Sequence, residues 1–119
     1  SCSLVGSEMC IRDRIVQVLS SPNPPDCFFA ISDNLAAAAI KAVQYCNLKV
    51  PSDVLVIGFD NTNISQLSTP SITTIKQPCS QLGYLASELL IEKINNPDTE
   101  IKQVQLPTEL IIRESTSQE

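Results

Sequence analysis

Apolar and polar positions follow one another along this chain in blocks whose period changes from element to element. Residues 27–31, Cys-Phe-Phe-Ala-Ile, make a short continuous apolar run, which predicts a parallel strand buried on both faces. Ser32 and Asp33 come next, and either side chain can cap the N-terminus of a helix. From Leu35 to Tyr45 the chain is rich in alanine, with Leu35, Ala38, Ala39, Ala42 and Val43 on one stripe. That spacing predicts a helix, and Asn47 is placed to stop it in a left-handed conformation. Pro51, Ser52 and Asp53 break the chain before residues 54–57, Val-Leu-Val-Ile, a second buried strand ending at Gly58, Phe59 and Asp60. Strand, helix, strand is a right-handed parallel crossover.

Further along, residues 61–69 read as a polar loop and residues 72–75 as a short β-branched strand. Pro78 fits the first position of another helix, where Leu82, Leu85, Ala86, Leu89, Leu90 and Ile94 recur at spacings of three and four. Asn95, Asn96 and Pro97 end it, and residues 104–106 and 109–112 are extended pieces around Pro107. Towards the N-terminus, residues 20–26 contain three prolines within four positions and must be loop. Ile15, Val18 and Leu19 have the spacing of a last helical turn. Residues 1–14 show no clear period and are set apart as a leader unrelated to the fold, which leaves 15–119 as the folded part.

Composition narrows what this α/β unit can do. The 119 residues allow one ordinary domain at most, and 43% hydrophobic residues suffice for a core. Net charge is −5 and the eight Lys and Arg are scattered singly, so nothing here clusters cations against a phosphate backbone. Five cysteines occur without a Cys-x-x-Cys pair and without any histidine, which argues against a zinc site. Cys27 and Cys46 instead read as small buried apolar residues in a reducing compartment. No apolar stretch reaches the roughly 18 residues of a membrane helix, and Glu8, Arg12 and Asp13 interrupt any secretory h-region. A cytoplasmic location is expected.

Candidate chemistry gathers at strand ends. In open α/β sheets, ligands bind outside the carboxyl ends of the strands. Ser32 lies just past one predicted strand and Asp60 just past the next, which puts both at one crevice. A carboxylate there can accept charge-assisted hydrogen bonds from two ligand hydroxyls or an N–H. Asp33 is expected to cap its helix rather than touch ligand, and Ser32 serves equally as cap or contact. Asp60 is by spacing either a ligand contact or a turn former. No nucleophile elbow, phosphate loop or dinucleotide fingerprint occurs, so no cofactor is expected and binding is preferred over catalysis.

Three stretches together resemble the C-terminal half of the effector-binding core of the LacI/GalR repressor family. They are residues 25–42 (Pro-Asp-Cys-Phe-Phe-Ala-Ile-Ser-Asp-Asn-Leu-Ala-Ala-Ala-Ala-Ile-Lys-Ala), residues 50–62 running on to 69–78, and residues 106–115 (Leu-Pro-Thr-Glu-Leu-Ile-Ile-Arg-Glu-Ser). The resemblance spans about residues 15–116 and implies a periplasmic-binding-protein-like (type I), doubly wound parallel sheet. It further implies a sugar or related metabolite as effector, a homodimer with the 35–45 helix near its interface, and operator DNA bound through a helix-turn-helix outside these residues. On that pattern Asp60 is an effector contact, while Ser32 stands where the family often has Asn, keeping a hydroxyl but shortening its reach. The helix after Pro78 is expected to pack in a first lobe that this chain largely lacks. A periplasmic sugar receptor of a transport system is the alternative with the same fold.

Overall fold

A computed structural model describes residues 8–117. The elements run α1 (Glu8–Leu19), β1 (Cys27–Phe29), α2 (Asp33–Tyr45), β2 (Leu55–Phe59), α3 (Asn63–Leu67), β3 (Thr73–Lys76), α4 (Cys79–Asn95) and β4 (Glu109–Ile111). They fall into two compact units: the described residues up to Lys76 together with those from Leu110 on, and Gln77–Glu109.

The first unit is built on a sheet of order β1-β2-β3-β4. β1 pairs β2 in parallel with Phe28 opposite Val56, and β2 pairs β3 in parallel with Gly58 opposite Thr74. Along β2 burial alternates, with Val56 and Gly58 buried between less buried neighbours. Alanine keeps α2 slim enough to sit close on the sheet. Ala36, Ala39, Ile40 and Ala42 join Ile15, Val56 and Ile72 in one buried cluster, flanked by Ile11, Leu19 and Phe28. The end of α2 is closed as expected. Asn47 has φ 58°, Leu48 N–H donates to the Val43 carbonyl (3.2 Å) and Asn47 N–H to the Gln44 carbonyl (3.0 Å).

Several expectations are corrected. Residues 8–14, set apart as leader, are the first turns of α1, and Ile11 lies against the core. Ile11, Ile15, Val18 and Leu19 share one helical face, and Arg12 lies over the Tyr45 ring at 5.5 Å from its centroid. Residues 1–7 of the proposed leader lie outside the described residues. β1 is an edge strand of the described sheet, and of its apolar run Phe28 and Ala30 pack on the core while Cys27 is exposed. Cys46, at the helix cap, is half-buried, so neither cysteine is the buried apolar residue expected. The 61–69 loop contains α3, too short to show a period.

The C-terminal segment completes the first unit. Ser115 is fully buried: its hydroxyl donates to the Val56 carbonyl (2.5 Å) and accepts from Thr73 N–H (2.8 Å). Its main chain accepts from Val56 N–H (3.2 Å) and donates to the Ser71 carbonyl (2.9 Å). One residue thus satisfies groups of β2 and of the β3 entry that would otherwise be buried unpaired.

In the second unit, α4 has no buried residue. Its predicted period is correct, yet Leu82, Leu90 and Ile94 remain exposed. Lys93 closes the helix by donating to the Pro97 and Thr99 carbonyls (2.6 and 2.7 Å). Residues 104–106, expected to be extended, join no strand. Among the described residues no helix is long and apolar enough to cross a membrane.

Beside Ser115, the Glu114 carboxylate accepts from Ser71 N–H (2.8 Å) and from the Ser71 hydroxyl (3.0 Å). The N–H first, then the hydroxyl, holds Glu114 below the usual carboxylate range. A depressed native pKa contributes stability that is present above the unfolded value of about 4.3 and is lost as pH falls through the native one. Glu114→Gln should therefore lower the melting temperature at neutral pH, with the deficit shrinking as pH is taken below about 4. A deficit that stays constant with pH in calorimetric scans would show that the charge contributes nothing.

Candidate functional site

The carboxyl ends of β1 and β2 lie side by side because the strands are parallel neighbours. Ser32 follows β1, and with extended backbone (φ −153°, ψ 158°) it is the N-cap of α2, its hydroxyl accepting from Leu35 N–H at 3.3 Å. The hydroxyl proton is still available to donate. Asp33, expected as the cap, is instead the first residue of the helix and is fully buried. One carboxylate oxygen accepts from the Thr74 hydroxyl (2.5 Å); the other accepts from Thr62 N–H (2.6 Å) and the Thr62 hydroxyl (3.0 Å). Asp33 therefore fastens the start of α2 to β3 and to the loop that follows β2.

Gly58 makes room for this. A Cβ built on it would lie 2.3 Å from Asp33 Oδ1 and 3.3 Å from Ala36 Cβ. Its backbone is not left-handed, so what demands glycine is the close approach of a buried carboxylate rather than a special φ.

Asp60 comes directly after β2, exposed, with φ 96°, and Asn61 follows with φ 52°. Two successive non-glycine residues in this region are uncommon, and Asp and Asn are the side chains that tolerate it best. Asp60 N–H donates to the Ile75 carbonyl (2.9 Å), extending the ladder to β3, and Asn61 N–H donates to Thr74 Oγ1 (3.3 Å). The Asn61 side-chain oxygen accepts from Arg113 Nη2 at 2.7 Å. Arg113 Nη1 donates to the Ser65 hydroxyl (3.0 Å) and to the Ile72 carbonyl (2.9 Å).

Next to Asp60, Phe59 makes an edge-to-face pair with Phe29 of β1, centroids 6.4 Å apart at 84°. Strand alternation puts Phe59 on the face opposite Gly58 and α2, and Phe29 is 58% exposed. Carboxylate, hydroxyl and aromatic surface thus share one sheet edge, a combination suited to a small molecule with hydroxyls and an apolar face. A separate groove of about 240 Å³ along α4 is lined by Leu89, Leu90 and Ile101 with Glu92, Lys93 and Lys102, but Lys102 is paired with Glu92 and Lys93 is committed to the Pro97 and Thr99 carbonyls.

Of the residues singled out from the sequence, Ser32 and Asp60 both occupy the expected edge, and Asp33 connects them through Thr62. Thr62, Thr74 and Arg113 were missed. Arg113 is 52 positions from Asn61, and no local period or motif reports such a pairing.

A parallel sheet with helices packed on it and a polar carboxyl edge is an open α/β domain of the kind in which ligands bind outside the strand ends. The chain belongs to the periplasmic binding protein-like domain family, whose model matches residues 4–116. The resemblance to the LacI/GalR effector-binding core holds as well. The chain is 35% identical over 99 residues to the probable HTH-type transcriptional repressor ExuR of Bacillus subtilis, covering 83% of this chain and 30% of that protein. It is 34% identical over 104 residues to the ribose operon repressor of Halalkalibacterium halodurans, covering 87% and 31% respectively. A solved LacI-family regulator from Enterococcus faecium with bound ribose superposes at a TM-score of 0.78, with 29% identity over 93% of this chain and 41% of that one. The chain thus spans about 30% of the length of the curated relatives it matches.

The Asp33–Gly58 contact has a direct test in a double-mutant cycle followed by urea unfolding of the intact protein. Asp33→Ala leaves Thr62 N–H without its acceptor and should cost about 1–3 kcal/mol. Gly58→Ala overpacks the same spot and should cost about 1–3 kcal/mol. Because the clash is with the Asp33 carboxylate, the double variant should lose clearly less than the sum. Strict additivity would separate Gly58 from Asp33.

Proposed function

We propose that this chain is the effector-sensing part of a bacterial transcription regulator. It binds a small polyhydroxylated metabolite at the Ser32–Asp60 edge and so modulates operator binding by a helix-turn-helix elsewhere in the full-length protein. The observation that carries this reading is the exposed Asp60 carboxylate, set in left-handed backbone at the carboxyl edge of a parallel sheet beside exposed Phe29. Backbone of this kind concentrates at ligand sites because the fold must supply other contacts to hold it. The Ser32 hydroxyl, already accepting from Leu35 N–H, contributes as a donor. The relatives named as repressors favour a regulator over a transport receptor; on this reading it is cytoplasmic and works as a homodimer. The function is recognition rather than catalysis, and no cofactor takes part. Ribose is the first sugar to try, since a relative is named for the ribose operon and a structural neighbour holds ribose.

Asp60→Asn separates ligand contact from turn former. Asn accepts left-handed backbone as readily as Asp, so a turn would survive the change. A ligand-holding carboxylate would not, because Asn offers one acceptor oxygen and presents donors to donating hydroxyls. Losing a charge-assisted bond costs about 1.5–3 kcal/mol, so ribose affinity of the intact regulator should fall about ten- to a hundredfold. Titration calorimetry beside a melting curve reads both. Unchanged affinity with a lowered melting temperature would make Asp60 structural.

A further inference from the structure

We infer that Arg113 is a positioning residue for the Asp60 carboxylate, acting through the side chain of Asn61; this rests on the reading of Asp60 as a ligand contact. The backbone from which Asp60 presents its carboxylate is held on one side by β2 and on the other by the residue after it, which must keep a matching conformation for the loop to close. Asp60 and Asn61 are both left-handed, at φ 96° and 52°. For an L-residue this region is unfavourable relative to right-handed backbone, so the loop keeps it only where contacts over-determine it. Three sets of contacts do so. Asp60 N–H is held by the Ile75 carbonyl, and Asn61 N–H by Thr74 Oγ1. Thr62 is held by the buried Asp33 carboxylate. Arg113 grips the Asn61 side chain, at 2.7 Å.

The grip is rigid because the guanidinium is itself fixed. Its other terminal nitrogen donates to the Ser65 hydroxyl of α3 and to the Ile72 carbonyl at the entry to β3. A planar fork with donors in fixed directions can satisfy these acceptors at once, whereas a Lys ammonium is a point charge on a flexible stem. Arg113 is anchored in turn by its own main chain, whose N–H donates to Thr73 Oγ1 (2.8 Å). The C-terminal segment is thereby coupled to the candidate ligand edge, although no sequence rule connects residue 113 with residue 61.

The first arm of the test needs no ligand. In the intact regulator, Arg113→Met and Asn61→Gly, which keeps the left-handed backbone but removes the side chain, should each speed hydrogen exchange of the Asn61 and Thr62 amides at least about tenfold relative to the Cys46 and Leu48 amides at the end of α2. Asn61→Asp retains the acceptor and should exchange like the wild type. The second arm uses D-ribose as probe. If release leaves the productive loop conformation populated about one time in ten, Arg113→Met should weaken ribose binding about tenfold. The Arg113→Met, Asp60→Asn double variant should then bind no more weakly than Asp60→Asn alone, since aiming an absent carboxylate is immaterial. Loop amides that keep pace with the α2 amides, or additive losses of affinity, would overturn the role of Arg113. Faster loop exchange combined with an Asp60→Asn variant of wild-type ribose affinity would overturn the ligand reading of Asp60 instead.

Discussion

The first unit depends on one buried carboxylate. Asp33 is completely enclosed, and an acidic group in that position is costly unless its oxygens are met by donors. Thr74 of β3 supplies one and Thr62, ahead of α3, supplies two, so helix start, third strand and crossover loop are fixed at a single point. Its place at the first position of α2 adds a second stabilising term, because the helix N-terminus carries partial positive charge. Other features follow from it. Thr62, the N-cap of α3, makes no side-chain cap bond and donates its hydroxyl proton to Asp33. Position 58 has space for hydrogen only.

The sheet is completed from far along the chain. Ser115 substitutes for a strand partner between Val56 and Thr73, across 59 and 42 positions respectively. Closing such separations costs loop entropy, although that cost grows only logarithmically with length. What it secures is satisfaction of buried main-chain groups that water cannot reach. Arg113 and Glu114 flank this serine and use the same segment in two ways. Glu114 clamps Ser71 at the surface, while Arg113 reaches inward to α3 and to the loop after Asp60.

Wherever a period persists for several turns, or a strand is central, the sequence was a good guide. The alanine stripe of α2, the leucine stripe of α4 and the run at 54–57 were all readable for that reason. What failed failed on context. A continuous apolar run at 27–31 cannot announce that its strand lies at a sheet edge, and five residues of α3 are too few for any periodicity. Ser32 and Asp33 satisfy the same capping rule, and only the extended backbone of Ser32 decides which of them caps. For the candidate site, the strand-end rule located Ser32 and Asp60. The groups that hold Asp60 in place were invisible, because a hydrogen bond from Arg113 to Asn61 depends on tertiary closure and leaves no trace in local spacing.

A pair of left-handed residues also says something about how such an edge works. If the loop only had to turn, glycine would serve without strain. Asp60 and Asn61 instead keep side chains, accept unfavourable backbone, and are tied down by a buried anion on one side and a forked cation on the other. Rigid presentation reduces the ordering cost that a ligand would otherwise meet on binding. On the proposed reading of Asp60, the same rigidity would connect a ligand held there through Asn61 to Arg113, and through Arg113 to the segment that closes the sheet. A bound metabolite would therefore not meet an isolated loop but a lever attached to the main structural seam of its unit, which is the kind of contact a sensing domain needs if occupancy is to be felt beyond the site.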